Sequence, residues 1–534
     1  MNKSFLQSIA ATALCCLMAL PPQLRAANAT PATPIQHIVI IFGENISFDH
    51  YFGTYPSALN PPGEPPFHAA SGTPAVNGLT DALLTANPNL LNSANGTGAS
   101  NPFRLDRSQA LTADMNHSYT PEQASFDNGK MDLFPLKTGS AGAPPSYYPP
   151  VVYTTGLVMG YYDGNTTTAL WNYAQHFALN DNSYNSQFGP STPGAINLIS
   201  GQTNGVTATA NGPSSAVISD GNGGLTLIGD ADPLGDMCSG STKFQVSLGG
   251  ENIGDLLNAA NVSWGWFEGG FDVTLTNPNG TGGCMRSTVS PYTRLTETDY
   301  VPHHQPFQYY ASTANLSHTR PTSVAMIGQQ GDAANHQYDV NDFYAAVAAG
   351  NFPAVSFLKA PSYQDAHPGN SNPLDEQQFV VHVINFLEQT TYWRNTAVVI
   401  AYDDSDGWYD HQIATITNGS NTTADVLNAP GVCGNGATAL PGINPATTHA
   451  QGRCGPGVRT PMQVISPWAK SNFVDSTLTD QSSIIHFVED NWLGSQRIGQ
   501  GSFDANANSI ASMFDFTQPP NPALILSETT GEPQ

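Results

Sequence analysis

The sequence predicts an α/β protein whose central, mostly parallel sheet carries helices on both faces and long irregular insertions at its surface. Three observations predict it: short unbroken apolar runs of buried-strand type, helical periodicity between them, and polar tracts too long for tight turns. Ile35–Phe42 (IQHIVIIF) and Ala397–Ala401 (AVVIA) are the clearest strands. Val262–Phe267, Ser323–Met326, Ala354–Leu358 and Met462–Ile465 read as further strands. In Leu374–Leu387, Phe379, Val380, Val383, Ile384 and Leu387 fall on one helical face. A second helix is expected over Gln481–Leu493. The tracts near 57–112, 202–252, 270–295 and 415–458 are rich in Gly, Asn, Pro, Ser and Thr, and read as excursions that build the rim of a pocket.

The first residues read as an export signal. Lys3 is followed by apolar Phe5–Leu20, then Pro21-Pro22 and the small residues around Ala29. This layout predicts a leader over 1–29 and one catalytic domain over 30–534, periplasmic or secreted. No later apolar run is long enough to span a bilayer, so no stable membrane insertion is expected. The chain carries a net charge of −25, and the expected leader holds Lys3 and Arg25 but no acid. Such a surface repels nucleic acid and anionic membrane. Four cysteines lie beyond the leader, and three pairings are possible. The near-neighbour pairing, Cys238–Cys284 and Cys433–Cys454, is expected.

In open α/β sheets, ligands bind at the carboxyl ends of strands. The two strongest strands run into Gly43-Glu44-Asn45 and Tyr402-Asp403-Asp404, which offer three carboxylates and an amide suited to a divalent cation. The same residues also suit solvated turns. Asp404-Ser405-Asp406-Gly407 lacks the distal glutamate of a calcium loop. In Gly189-Pro190-Ser191-Thr192-Pro193, Ser191 fits a helix N-cap, where free backbone N–H groups and the helix dipole favour phosphate; an ordinary cap fits equally. No GxSxG elbow is present, which disfavours an acyl hydrolase. His117, His303, His304 and His367 are candidate donors to a phosphate. Were they to line one pocket, binding would strengthen as pH falls.

These segments resemble the phosphoesterase family that contains bacterial phospholipases C and AcpA-type acid phosphatases. The likeness runs from Gln36-His37-Ile38-Val39 and Glu44-Asn45-Ile46-Ser47-Phe48-Asp49-His50 through Asn116-His117-Ser118 and Gly189–Gly194. It continues through Tyr300–His304 and Asp365-Ala366-His367-Pro368 to Tyr402–Asp404 and Gly407–His411. The resemblance implies an alkaline-phosphatase-like fold with one divalent metal ion, be it calcium, magnesium, manganese or zinc. Glu44, Asn45, Ser191, Asp403 and Asp404 match the metal ligands, and Ser191 also the nucleophile. His117, His303, His304, His367 and Asn45 match groups around the phosphoryl, with His367 or His117 expected to protonate the leaving oxygen. Serine at 191, the lack of a twin-arginine start and the short C-terminal part point to the acid-phosphatase branch. The expectation is therefore a secreted metal-dependent acid phosphatase that hydrolyses phosphate monoesters through a phosphoserine. A phospholipase C acting on phosphodiester head groups is the alternative, and a secreted binding protein without turnover a remote one.

Overall fold

The computed structural model describes residues 30–140, 154–435, 440–444 and 449–534. The expected leader lies outside them. The central sheet has eight strands, here β1 His37–Gly43, β2 Ala178–Asn180, β3 Trp264–Glu268, β4 Gln337–Asp339, β5 Val355–Lys359, β6 Thr396–Tyr402, β7 Met462–Ile465 and β8 Phe473–Asp475. Their order across the sheet is β4-β3-β5-β1-β6-β7-β2-β8. β7 pairs antiparallel with both neighbours, and every other pairing is parallel. All seven residues of β6 are buried, as are all but the first of β1. Such strands are covered on both faces, which is why they read as unbroken apolar runs rather than alternating ones. Helices packed around the sheet include α1 Tyr119–Ser125, α2 Ser191–Ser200, α3 Pro373–Glu388 and α4 Ser482–Trp492. Asn372 caps α3 by accepting from the Leu374 and Asp375 N–H groups, and Pro373 stands at its first position, where a missing N–H costs nothing.

Two expectations change. Ser323–Met326 is no strand: Val324–Met326 forms a 3-10 turn with Val324 40 % exposed. The polar tract near 202–252 is not structureless either. It holds a small sheet of Val206–Ala210, Gln245–Leu248 and Asp232–Pro233. Both expected disulfides are present, Cys238–Cys284 and Cys433–Cys454. No helix among the described residues is long and apolar enough to cross a membrane.

The sheet places the site by register. β1 pairs with β6 so that Gly43 lies opposite Tyr402, and on its other side Ile41 lies opposite Leu358 of β5. Glu44, Asp403 and Lys359 therefore leave three adjacent strands at one edge.

Candidate active site

Past β1 the chain turns sharply, with Asn45 at φ 63°, and Asp406 past β6 has φ 55°. Asn and Asp enter this left-handed region more readily than other side-chain-bearing residues. The turns bring backbone donors onto the acids: Asn45 N–H and Asp404 N–H both donate to Asp403 Oδ1, at 3.0 and 2.7 Å. Carboxylate oxygens of Glu44, Asp403 and Asp404 lie within 4.8 Å of one another, and all three residues are fully buried. The Ser191 hydroxyl sits 3.0 Å from Glu44 Oε2 and 3.1 Å from Asp404 Oδ2. Its single proton serves only one of them at a time.

Ser191 is not the N-cap. Pro190, extended at φ −79°, takes that position, and Ser191 opens the helix with its hydroxyl turned to the acids. The expected row of free backbone N–H groups is also reduced. Thr192 donates both its N–H and its hydroxyl to Asp230 Oδ1, and Pro193 has no N–H to offer. Helix and strand end touch directly here: a Cβ built on Gly194 would lie 2.0 Å from the Asp403 carbonyl oxygen.

Lys359, missed in the sequence, is the buried cation of this cluster. Its ammonium binds Glu44 Oε1 and lies 3.7 Å from Asp403 Oδ2. The rule that picked Glu44 and Asp403 would have found it, because Lys359 immediately follows the expected strand Ala354–Leu358. Three acids still face one lysine. Burial, then the neighbouring acids, pushes the Glu44 carboxyl well above the usual range. Asp404 is likewise pushed up, by burial and by Asp403 and Glu122, although His117 opposes this. Asp403 resists burial and is held below its ordinary value by Lys359, by Glu44 and by the backbone N–H donors.

Two further observations test whether a cation fits. The Asn45 amide donates to Asp406 Oδ1 at 3.0 Å, which leaves its own buried Oδ1 without a partner. Asp403 Oδ2 is buried and also makes no hydrogen bond. Unsatisfied buried oxygens beside crowded carboxylates are costly, and hard oxygen donors of this kind suit a divalent ion. Glu44, Asn45, Asp403, Asp404 and Ser191 thus make a fitting donor set.

The four histidines surround the cluster but do not behave as one group. His304 Nδ1 lies 3.3 Å from Glu44 Oε1 and 4.0 Å from Asp365 Oδ2. Burial, with His303, Lys359 and His367 adding to it, holds His304 well below its usual pKa. His117 Nδ1 donates to the Met115 carbonyl at 2.9 Å and lies 3.1 Å from Asp406 Oδ1. Despite burial, Asp404 and Asp406 raise it well above the usual value. His367 faces His117 with ring centroids 6.3 Å apart, and burial lowers it. His303 packs on His304 at 4.6 Å and lies 3.7 Å from Asp232. Of His117, His304 and His367, only His117 is pushed toward its charged form, and it joins the buried Lys359 ammonium in that. A cavity of about 500 Å³, lined in part by His117, Tyr119, Pro190, Ile228 and Asp230, opens beside the serine.

A second acid cluster lies close by in sequence. Arg459 binds Asp49 at 3.0 Å and both oxygens of Asp410 at 3.1 Å, while His411 Nδ1 donates to Asp49 Oδ2 at 2.7 Å. The remaining guanidinium nitrogen donates to the Asn77 and Asp181 carbonyls at 2.7 and 2.9 Å.

Residues 35–493 match the model of the Phosphoesterase family. A Pseudomonas aeruginosa protein named non-hemolytic phospholipase C is 24% identical over 97% of this chain and 64% of its own length. Phospholipase C A of Mycobacterium tuberculosis is 25% identical over 92% of this chain and 79% of its own. The chain thus spans less than two thirds of the Pseudomonas relative. A solved Vibrio parahaemolyticus protein of the alkaline phosphatase superfamily matches 62% of this chain and 61% of its own at 10% identity, with a TM-score of 0.27, too slight a likeness to carry weight. With the family model covering most of its length, the chain belongs to the Phosphoesterase family.

Proposed function

We propose that this family member is an exported phosphoric ester hydrolase of the phospholipase C kind, cleaving phosphodiester head groups with the Ser191 hydroxyl. The observation that carries the chemistry is Ser191 Oγ between Glu44 Oε2 and Asp404 Oδ2, at 3.0 and 3.1 Å, beside unsatisfied oxygens of Asn45 and Asp403. The names of the two relatives favour the diester substrate over the monoester expected from the sequence.

Glu44, Asn45, Asp403, Asp404 and Ser191 would hold one divalent ion, with calcium, magnesium and manganese suited to the oxygen donors and zinc possible. Such an ion lowers the pKa of a bound hydroxyl and neutralises charge on phosphoryl oxygens. Ser191 Oγ loses its proton to solvent and attacks phosphorus, the bond from phosphorus to the departing alcohol breaks as that oxygen takes up a proton, and water later cleaves the head-group phosphoryl from Ser191 and restores the hydroxyl. His117, pushed toward its charged form by Asp404 and Asp406 despite burial, donates to the phosphoryl or to the leaving oxygen. His304, held neutral, accepts or donates one hydrogen bond without adding charge. His367 and His303 back these two rings. The two disulfides support an oxidising compartment.

A monoester phosphatase is the second reading. The cationic His117 and Lys359 favour it, since a monoester carries nearly two negative charges at neutral pH. One preparation assayed on phosphatidylcholine and on p-nitrophenyl phosphate decides. The proposal expects the larger kcat/KM on the diester. A tenfold advantage for the monoester installs the second reading, and turnover of neither ends both.

A further inference from the structure

One buried carboxylate outside the donor set ties the site together. Glu122, in the first turn of α1 and 1 % exposed, uses both oxygens as acceptors. The Gly189 N–H donates to Oε2 at 2.9 Å, and the Ser405 hydroxyl donates to Oε1 at 2.7 Å. Gly189 stands two residues before Ser191, and Ser405 immediately follows Asp404. The same helix follows directly on His117. No arginine, lysine or histidine forms an ion pair with Glu122 among the described residues. Its interactions are thus aimed at two loops rather than at a counter-charge.

Resting on the proposed hydrolase reading, we infer that Glu122 is a positioning residue that fixes the distance between the Ser191 hydroxyl and Asp404. The two tethers end on the segments that carry these groups, whose oxygens lie 3.1 Å apart. Gly189 adopts φ 122°, a conformation open to glycine, so its loop has no side chain to lock it and relies on its backbone bonds. Ser405 Oγ passes the restraint on by accepting from the Gly407 N–H at 3.0 Å. Two donors meeting two separate oxygens require a carboxylate. A glutamine would turn an NH₂ group toward one of them.

Misplacing reacting groups by about 1 Å can cost on the order of a hundredfold in rate. Glu122→Gln is therefore expected to lower kcat by roughly 10–100-fold while KM on the diester stays within about threefold. Its thermal midpoint and bound divalent metal, measured by elemental analysis, should match the wild type. A kcat within twofold of wild type overturns the inference, as does a fall only in proportion to lost folded protein. Should Glu122→Gln fail to fold, Ser405→Ala decides, because it removes one tether and leaves Glu122 in place. A kcat reduced at least threefold at constant KM supports the inference, and an unchanged kcat rejects it. Wild type and Ser191→Ala run alongside: an inactive wild type or an active Ser191→Ala defeats the hydrolase reading itself, a result separable from failure of the Glu122 inference.

Discussion

Two buried clusters of acids, joined by one stretch of chain past β6, differ in how their charge is met. Around Arg459, two aspartates meet one guanidinium and one histidine, and the guanidinium is bonded through every nitrogen. Around Ser191, Glu44, Asp403 and Asp404 meet Lys359, with buried oxygens of Asn45 and Asp403 left without partners. The first cluster is complete with protein atoms alone. The second is built short of positive charge. Both offer three ligand atoms in reach of one another, so proximity of acids does not by itself distinguish a structural site from a metal site. Unsatisfied atoms do.

The sharpest way to break this contrast is substitution on each side. Ser191→Ala should lower turnover by about 10³-fold or more while leaving the fold and metal content unchanged; near-normal turnover would remove the covalent route. Asp404→Asn should lower turnover by about a hundredfold, yet leave the chelator-treated protein as stable as wild type or more so, because it relieves repulsion among buried acids. Arg459→Met should do the opposite to stability, costing about 3–5 kcal/mol in denaturant unfolding by stranding two buried aspartates. Equal stability losses for Asp404→Asn and Arg459→Met would erase the distinction.

Metal linkage sharpens the comparison further. Adding back a divalent ion at about a hundred times its Kd should stabilise the chelated wild type by about 2.7 kcal/mol, and Asp404→Asn should blunt the gain. A gain equally lost in Arg459→Met would place the ion at the wrong cluster.

A pH-dependent effect outside the metal comparison concerns His50, next to Asp49. It donates to the Gly160 carbonyl at 2.8 Å, stacks on Trp408 at 3.8 Å, and burial lowers its pKa to about 3. The folded state therefore binds fewer protons than the unfolded one. The stability gained from neutral His50 is present above pH of about 6.5 and is lost as pH falls toward about 3. The stability gap between wild type and His50→Gln should narrow by about 1.4 kcal/mol per pH unit across that window. A gap independent of pH would show that His50 titrates normally.

Much of the sheet was legible because β1 and β6 are buried on both faces and leave a continuous apolar signature. The short strands Ala178–Asn180, Gln337–Asp339 and Phe473–Asp475 carry too few residues to show a pattern, and pairing with neighbours makes them strands. Ser323–Met326 has apolar content without burial, which local pattern cannot distinguish from a strand. The polar ends of long strands marked Glu44, Asp403 and Asp404, and register then brought them together. Glu122 left no mark, since a glutamate early in a helix is ordinary and only the folded chain shows what it tethers. Divergent imidazole environments were equally hidden: burial, His303 and Lys359 hold His304 down, whereas Asp404 and Asp406 raise His117 against its burial, and only the folded chain decides which groups face each ring.

The hydrogen at Gly194 has a consequence for how this molecule can vary. Because the Asp403 carbonyl occupies the space a methyl group would need, even alanine there must wedge the helix outward and carry Ser191 with it. The gap between nucleophile and strand end is thus gauged by the smallest atom available. Inherited changes in substrate preference have to arise elsewhere, in polar residues around the cavity mouth such as Ser214, Ser215 and Thr423.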